Sequence, residues 1–187
     1  MRTGRVYGSF TLNDGREVTL RTLSPRDLGQ ATDFANTLVR ERSTNRDLGV
    51  LLDTLVTLKE EKEWLNEELS GIRRGVVFGV SAFHEGKLVG NCEIRRPRFK
   101  DLKHSGTLGI AILDGYRGAG LGRAMLKQLL KTAEEGGVSL VELRVLSINK
   151  WAIGLYRSLG FNKAGMIPGK IVRDGRRIGE IVMFRAA

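Results

Sequence analysis

The sequence predicts an α/β domain built on one mixed β-sheet, with helices on both faces, spanning residues 1–187. Antiparallel pairing is indicated by short turns, of which Asn-Asp-Gly at 13–15 is a typical hairpin signal. Parallel pairing is indicated by the amphipathic stretch 120–135, which lies between the apolar runs 107–113 and 140–146. A helix between two strands of one sheet forms a crossover, so these strands should run parallel. Both kinds of pairing together define a mixed sheet.

Caps and apolar spacing predict the other elements, in the order β-β-α-α-β-β-β-α-β-α-β-β. A first helix begins at Ser24 and runs to about Glu41, because serine caps helix N-termini and a proline follows it. A second helix covers 57–69, where we interpret the glutamates, Glu68 among them, as a solvated face, and Gly71 ends the helix region. The remaining segments are two strands within 5–23, strands at 76–83 and 88–96, a short helix at 149–159, and strands at 161–166, 170–173 and 178–184.

The composition is that of a globular protein with an excess of positive charge. Hydrophobic residues make up 41% of the chain, charged residues 28%, and the formal net charge is +10. This charge favours an acidic partner, such as a polyphosphate cofactor, an acidic protein or a nucleic acid. A single cysteine, Cys92, excludes an internal disulfide, and with only two histidines we expect no metal site. The sequence has no apolar run of signal or membrane length, so we expect a cytoplasmic protein without membrane association.

One glycine-rich turn stands out between the strand 107–113 and the helix 120–135. Gly118, Gly120 and Gly122 alternate at the start of this helix, and Arg117 and Arg123 flank them. Free N–H groups and the helix dipole make a helix start attractive to anions. The turn therefore predicts a binding site for a phosphate or pyrophosphate.

Two common phosphate motifs do not fit this turn. A Walker loop needs Lys followed by Ser or Thr where Arg123 and Ala124 stand, and a dinucleotide fingerprint needs a third glycine at position 123. The spacing Arg117-x-x-Gly120-x-Gly122 instead resembles the coenzyme A pyrophosphate loop of the GCN5-related N-acetyltransferase (GNAT) superfamily. Downstream, the stretch 149–161 is similar to the second signature of that superfamily. The resemblance covers nearly the whole chain, from about Glu17 to Phe184.

The resemblance implies that acetyl-CoA lies where the strands 107–113 and 140–146 splay apart. The backbone of Ile110, Ala111 and Ile112 would pair with the pantetheine arm, and an N–H near Ile110 would polarise the thioester. Asn149 would bind the cofactor, and Tyr156 would act as general acid or, alternatively, only pack its helix. The expected pyrophosphate ligands are the backbone amides of Gly118, Ala119, Gly120, Leu121, Gly122 and Arg123, with charge added by Arg117 and Arg123.

The general base is less clear, because the two positions that carry a glutamate in relatives hold Thr107 and Arg144. We expect Glu93 to act as the catalytic base, directly or through water, and the alternative is that Glu93 only pairs with a nearby arginine. Glu142 shares a face with Arg144, so these two are expected to pair with each other.

The resemblance implies an acetyl-CoA-dependent N-acetyltransferase that acts on a primary amine by direct attack in a ternary complex. The amine would belong to a small molecule, a protein N-terminus or a lysine, and a homodimer is one expected assembly. The alternative is a basic, nucleic-acid-associated binding module that uses residues 95–103 and 173–177 as contacts. The intact cofactor motifs favour the enzyme, and we do not expect nucleic acid as a partner.

Overall fold

A computed structural model describes residues 2–45 and 47–186 of the chain. The strands are β1 (Val6–Thr11), β2 (Glu17–Arg21), β3 (Val77–His84), β4 (Lys87–Arg95), β5 (Ser105–Ile112), β6 (Leu140–Leu146), β7 (Asn162–Arg173) and β8 (Arg176–Ala186). They form one sheet in the spatial order β1-β2-β3-β4-β5-β6-β8-β7. Only β5 and β6 run parallel among these strands, and the other neighbours are antiparallel, which confirms the mixed sheet.

The helices cover both faces of this sheet. They are α1 (Leu28–Thr44), α2 (Leu58–Arg74), α3 (Leu121–Glu135) and α4 (Lys150–Ser158). One core cluster joins α1 and α2 to Phe83 of β3, and a second, larger cluster joins α3 and α4 to Val80 of the same strand. Because side chains three positions apart on a strand point to opposite faces, the two helix pairs lie on opposite faces of the sheet.

The parallel strands β5 and β6 separate before they end. Their register runs from Ser105 opposite Leu140 to Leu108 opposite Leu143, and no pairing is recorded beyond these residues. On its other edge, β5 stays paired with β4 as far as Ile112. The second half of β5 therefore has one open edge, which faces a gap toward β6.

Two helix ends differ from the sequence prediction. A short 3-10 turn at Pro25–Asp27, capped by Ser24, precedes α1. The second helix does not end at Gly71 but continues to Arg74, and Gly75 ends it with a left-handed φ of 69°. Gly71 is glycine for another reason: a Cβ there would lie 2.5 Å from Val77 Cγ2, so its absence lets α2 pack closely on β3.

The segment before the last strand also differs. The stretches 161–166 and 170–173, which we predicted as separate strands, are joined in the single strand β7, which begins at Asn162. Its register with β8 shifts between Ile167 and Ile171. Pro168 lies in this interval, and because proline lacks an N–H group it cannot donate to the strand ladder. We therefore predicted two strands where a single strand continues through a register shift.

Across residues 2–45 and 47–186, no helix is long and apolar enough to cross a membrane. The same residues contain no group of three or more histidine, cysteine or acidic side chains placed to hold a metal ion.

Candidate functional site

The glycine-rich turn connects the open half of β5 to α3. Gly118 and Gly120 have left-handed φ values of 74° and 88°, which strain any residue with a side chain. Gly120 is the N-cap of α3 and supplies no side-chain cap. The first hydrogen bond of the helix runs from the Ala124 N–H to the Gly120 carbonyl at 3.2 Å, so the amides before it have no acceptor within the helix. These N–H groups form an anion-binding helix start.

The predicted residues within this turn contribute differently. The Leu121 side chain is fully buried in the core, so only its main-chain amide can face a ligand. A Cβ on Gly122 would lie 3.1 Å from Leu155 and 3.3 Å from Ile112, so this glycine allows α3 to approach α4 and β5 closely. The exposed Arg123 donates to Ser158 Oγ at 2.9 Å. A ligand at the turn would therefore meet backbone amides first and Arg123 beside them.

Arg117 holds the turn in place. Its Nε donates to the Ile112 carbonyl at 2.8 Å, and its guanidinium pairs with Glu41 of α1 and with Asp114 at 3.4 Å. The Glu41 carboxylate also accepts from the Asp114 N–H at 2.8 Å. Because two carboxylates balance the Arg117 charge, its clearest contribution is to position the turn. The sequence pattern did not single out Glu41, since it lies far along the chain in α1.

The hairpin between β1 and β2 supports the turn from the other side. The Asn13 N–H donates to the Ala119 carbonyl at 3.0 Å, and Arg16 Nη2 donates to the Gly115 carbonyl at 2.5 Å. The Arg16 guanidinium also lies 4.3 Å from the centre of the Tyr116 ring. The turn is thus fixed by contacts that were not expected from its own sequence.

The open edge of β5 presents alternate backbone groups to the gap. The Leu113 N–H donates to the Val89 carbonyl of β4 at 3.0 Å. By alternation, the backbone of Ala111 also faces β4, whereas that of Ile110 and Ile112 faces the gap. The Ile112 carbonyl is already an acceptor for Arg117. The groups left for an extended ligand are the Ile112 N–H and both backbone groups of Ile110, while Ala111 lies on the paired edge.

Asn149 and Tyr156 belong to α4. Asn149 is its N-cap: Oδ1 accepts from the Ala152 N–H at 3.0 Å, and Nδ2 donates to the Asp47 carbonyl at 3.0 Å. Both polar atoms of this side chain therefore have partners within the protein. Tyr156 is buried in the core, and this burial, reinforced by the nearby Cys92 thiol, raises the pKa of its hydroxyl. Tyr156 consequently remains an O–H donor at neutral pH.

Glu93 is part of a charged cluster on the α1–α2 face of the sheet. Arg95 Nη2 lies 3.3 Å from Glu93 Oε1 and 2.5 Å from Glu68 Oε2. Glu68 is buried, which corrects its assignment to a solvated face. Burial is the main cause that raises the pKa of Glu68 to about 8, the neighbouring Glu93 charge adds to it, and Arg95 opposes it. Helical spacing from Leu65 and Ile72 was the signal that could have placed Glu68 on the buried side.

Glu93 also lies beside open surface. It is directly opposite Gly109 across the β4–β5 pair, and a Cβ on Gly109 would come 3.9 Å from Glu93 Cγ. Because Gly109 has no side chain, nothing from that position covers the carboxylate. Gly109 precedes Ile110, so the Glu93 carboxylate lies near the start of the open edge of β5.

The two positions expected to hold a base have other partners. Thr107 Oγ1 donates to Glu142 at 3.2 Å. We predicted that Arg144 would pair with Glu142. It pairs instead with Glu180 of β8, at 2.9 Å. This difference arises because the strand next to β6 is β8, whose register places Glu180 diagonally across from Arg144. Glu180, a largely buried carboxylate beside the gap, was not identified from the sequence.

Comparisons with known proteins agree with this geometry. The family model described as "Acetyltransferase (GNAT) family" matches residues 47–161. The chain is 47% identical over 55 residues to ribosomal protein bS18-alanine N-acetyltransferase of Escherichia coli, a match that covers 29% of this chain and 37% of that protein. It is 26% identical over 155 residues to the L-methionine sulfoximine/L-methionine sulfone acetyltransferase of Pseudomonas aeruginosa, covering 82% and 88% of the two chains.

A solved structure, that of ribosomal-protein-alanine N-acetyltransferase from Brucella melitensis, superimposes with a TM-score of 0.76 at 26% identity. That superposition covers 90% of this chain and 99% of the other. The family model spans more than half of the chain, including the glycine-rich turn and α4. The chain belongs to the acetyltransferase (GNAT) family.

Proposed function

We propose that the protein is an acetyl-CoA-dependent N-acetyltransferase that acts on a primary amine. The observation that supports this proposal most strongly is the gap between β5 and β6, which leads from an open strand edge to the uncapped start of α3. An extended ligand with a pyrophosphate at one end matches both features. In this role the ligand supplies an acetyl thioester, whose carbonyl carbon an amine can attack.

The residues present fit such a ligand. The amides from Gly118 to Arg123 would hold the pyrophosphate, because left-handed glycines keep side chains out of the turn and no side chain caps α3. The free backbone groups of Ile110 and the Ile112 N–H would pair with the pantetheine amides. An N–H at Ile110 would lie near the thioester carbonyl and stabilise negative charge on its oxygen. We assign no contact of this kind to Ala111, whose backbone faces β4.

Tyr156 and Asn149 would serve the leaving group from α4. The Tyr156 hydroxyl is protonated at neutral pH and would donate its proton to the departing sulfur. Asn149 would act as a positioning residue, because it caps α4 and so holds the helix that carries Tyr156. The packing of Tyr156 against Phe161, with ring centres 5.8 Å apart, holds the phenol in position.

Glu93 is the proposed base. The attacking nitrogen must be unprotonated, so the ammonium form of the acceptor has to lose a proton, and the Glu93 carboxylate would receive it. Burial raises the pKa of the neighbouring Glu68 to about 8, whereas Glu93 lies beside the surface left open by Gly109. Arg95 contacts both carboxylates and fixes their separation. The threonine and arginine at the other two positions, Thr107 and Arg144, cannot take this role.

The relatives suggest the class of acceptor. By their names, the Escherichia coli protein acts on an N-terminal alanine of a ribosomal protein, and the Pseudomonas aeruginosa protein acts on amino-acid derivatives. Both are primary amines, and we propose the same class here. A homodimer and a cytoplasmic location stay predictions, which sedimentation and fractionation can check.

The alternative, a nucleic-acid-binding module, receives less support. In the basic segment 95–103, Arg95 contacts the carboxyl groups of Glu68 and Glu93, and Arg96 donates to the carbonyls of Gly75 and Gly136. Arg95 and Arg96 are therefore occupied within the protein and poorly placed to contact phosphates.

Calorimetric titration with acetyl-CoA, followed by thiol release with a panel of amines, tests the proposal. We expect saturable binding and amine-dependent release of free coenzyme A. A protein that fails to bind acetyl-CoA would contradict the proposed function. A salt-sensitive affinity for DNA or RNA in the absence of acetyl transfer would favour the alternative instead.

A further inference from the structure

A second concave surface lies beyond the β5–β6 gap, at the C-terminal end of β6. It is a cavity of about 290 Å³ between the segment that connects α1 to α2, Ile148 just after β6, and the hairpin of β7 and β8. Its lining residues are Asp47, Ile148, Arg173, Arg176, Arg177 and Ile178. The cavity therefore sits on the acceptor side of the gap and not at the glycine-rich turn.

The lining is strongly cationic. Three arginines oppose one aspartate, and α1 adds Arg42, whose charge acts on Arg173. Arg173 is buried and donates to the carbonyls of Leu48 and Val50 at 2.7 and 3.2 Å, so it forms a fixed wall. In the described part of the chain, the exposed Arg176 and Arg177 make no ion pair. An anionic group is the ligand chemistry that this lining favours.

The distance from the reacting centre limits what the anion can be. Arg144, level with the open edge of β5, pairs with Val182 of β8, and Ile178 of the cavity lies four residues further along that strand. At about 3.3 Å per residue, this separation is about 13 Å. The amine and carboxylate of a free α-amino acid are only about 4 Å apart. An amino acid with its amine level with Arg144 spans only part of this separation, whereas an extended peptide covers it with about its fourth residue.

The surroundings of the cavity also suit a polypeptide. Large apolar side chains are exposed on the segment between α1 and α2 and next to Arg173. Leu51 is 63% exposed, Leu55 is 56% exposed and Val172 is 63% exposed. Exposed apolar residues beside a charged surface are typical of protein-binding regions.

We propose that the acceptor is a polypeptide with an acidic side chain, about four residues from the acetylated amine, that binds to Arg176 and Arg177. This inference rests on the proposed acetyltransferase function and specifies its acceptor. Arg176 and Arg177 then determine specificity, because they touch the peptide and lie far from the reacting atoms.

The test uses three fluorescently labelled peptides with the same free N-terminal alanine and with acidic, neutral amide or basic residues at the fourth and fifth positions. Peptide affinity is measured by anisotropy, and acetyl transfer is measured by thiol release, for the protein saturated with acetyl-CoA. We expect kcat/KM for the acidic peptide to exceed that of the neutral one about tenfold, since charge-assisted hydrogen bonds are worth about that factor. Added salt should reduce the difference.

The double variant Arg176→Ala with Arg177→Ala should lose the preference, so that the acidic and neutral peptides have equal kcat/KM. Arg74→Ala, which removes an exposed arginine at the end of α2, is the matched control and should keep the preference. Equal binding of acidic and neutral peptides, a preference that survives in the double variant, or a free amino acid that outperforms every peptide would each overturn the inference. Loss of acetyl-CoA binding would instead contradict the proposed function, while anisotropy would still decide whether the cavity binds acidic peptides.

Discussion

The proposed cofactor side of the gap, formed by residues 109–123 and α4, and the proposed acceptor side, formed by β4, β6, β8 and the arginine-lined cavity, offer different groups to a ligand. On the cofactor side, the available groups are mainly main-chain amides, and the nearby Arg117 is neutralised by Glu41 and Asp114. On the acceptor side, they are charged side chains brought together from distant parts of the chain. A backbone site recognises a constant ligand with little dependence on side chains, whereas a side-chain site can be changed residue by residue.

Tyr156 is the exception on the cofactor side, because its hydroxyl is a side-chain group assigned to the chemistry. Tyr156→Phe should lower kcat by about 100-fold, the size expected for loss of a general acid, and leave the Kd of acetyl-CoA unchanged. The ring is retained, so the buried packing with Phe161 persists. Rapid thiol-release kinetics check this result. An unchanged kcat would mean that Tyr156 only packs α4.

A substitution at Gly120 tests the backbone nature of the cofactor side. Gly120→Val forces a β-branched residue to a φ of 88°, and its Cβ would lie 3.1 Å from Asn13 Oδ1. We expect the Kd of acetyl-CoA to rise about 100-fold, as two or three charge-assisted hydrogen bonds are lost. Calorimetry measures the affinity, with Gly29→Ala as control, because that glycine in α1 has open space around it. Equal affinities of the two variants would refute a backbone-built site.

The carboxylate cluster tests the side-chain nature of the acceptor side. Glu93→Gln should lower the rate about tenfold near pH 6 and less near pH 9, because the acceptor amine is increasingly deprotonated at high pH and then needs no base. The pH dependence of kcat/KM is the measurement. A rate equal to that of the unmodified protein at every pH would remove Glu93 from the mechanism.

The smallest expected effect is that of Glu68→Gln, which should change the pH dependence of the free energy of unfolding. Burial and the Glu93 charge raise the pKa of Glu68 to about 8 in the folded protein, against about 4.3 when unfolded. Between these values the folded state holds a proton that the unfolded state releases, so the free energy of unfolding falls as pH rises through this window. Glu68→Gln should flatten this decline. Urea unfolding at pH 5 and pH 8 compares the two proteins, and equal slopes would contradict the assignment.

The two sides also differ in how far the sequence predicted them. The glycine-rich turn was recognisable from the sequence because its backbone needs glycine at particular positions, such as Gly118 and Gly120. This requirement is local, so the spacing of the glycines along the chain reveals it. The mixed sheet followed from crossover and hairpin rules in the same way. The partners of Arg144 and Arg95 were not predictable, because Glu180 and Glu68 reach them through strand order and helix packing. Charge pairs between elements depend on which strands are neighbours and how they are aligned. The periodicity of one sequence predicts the elements themselves but not this arrangement.

The segment between α1 and α2 is held by several hydrogen bonds to its main chain, in addition to the packing of Leu48 in the core. The Asp47 carbonyl accepts a hydrogen bond from Asn149, and the Leu48 and Val50 carbonyls accept from Arg173. The backbone N–H and carbonyl of Val56 both bond to the side-chain amide of Asn36. Since these bonds do not depend on which side chains the segment carries, its exposed residues, such as Leu51 and Leu55, can be replaced while its path is kept. Acceptor choice can therefore diverge among descendants of this protein without rebuilding the catalytic framework.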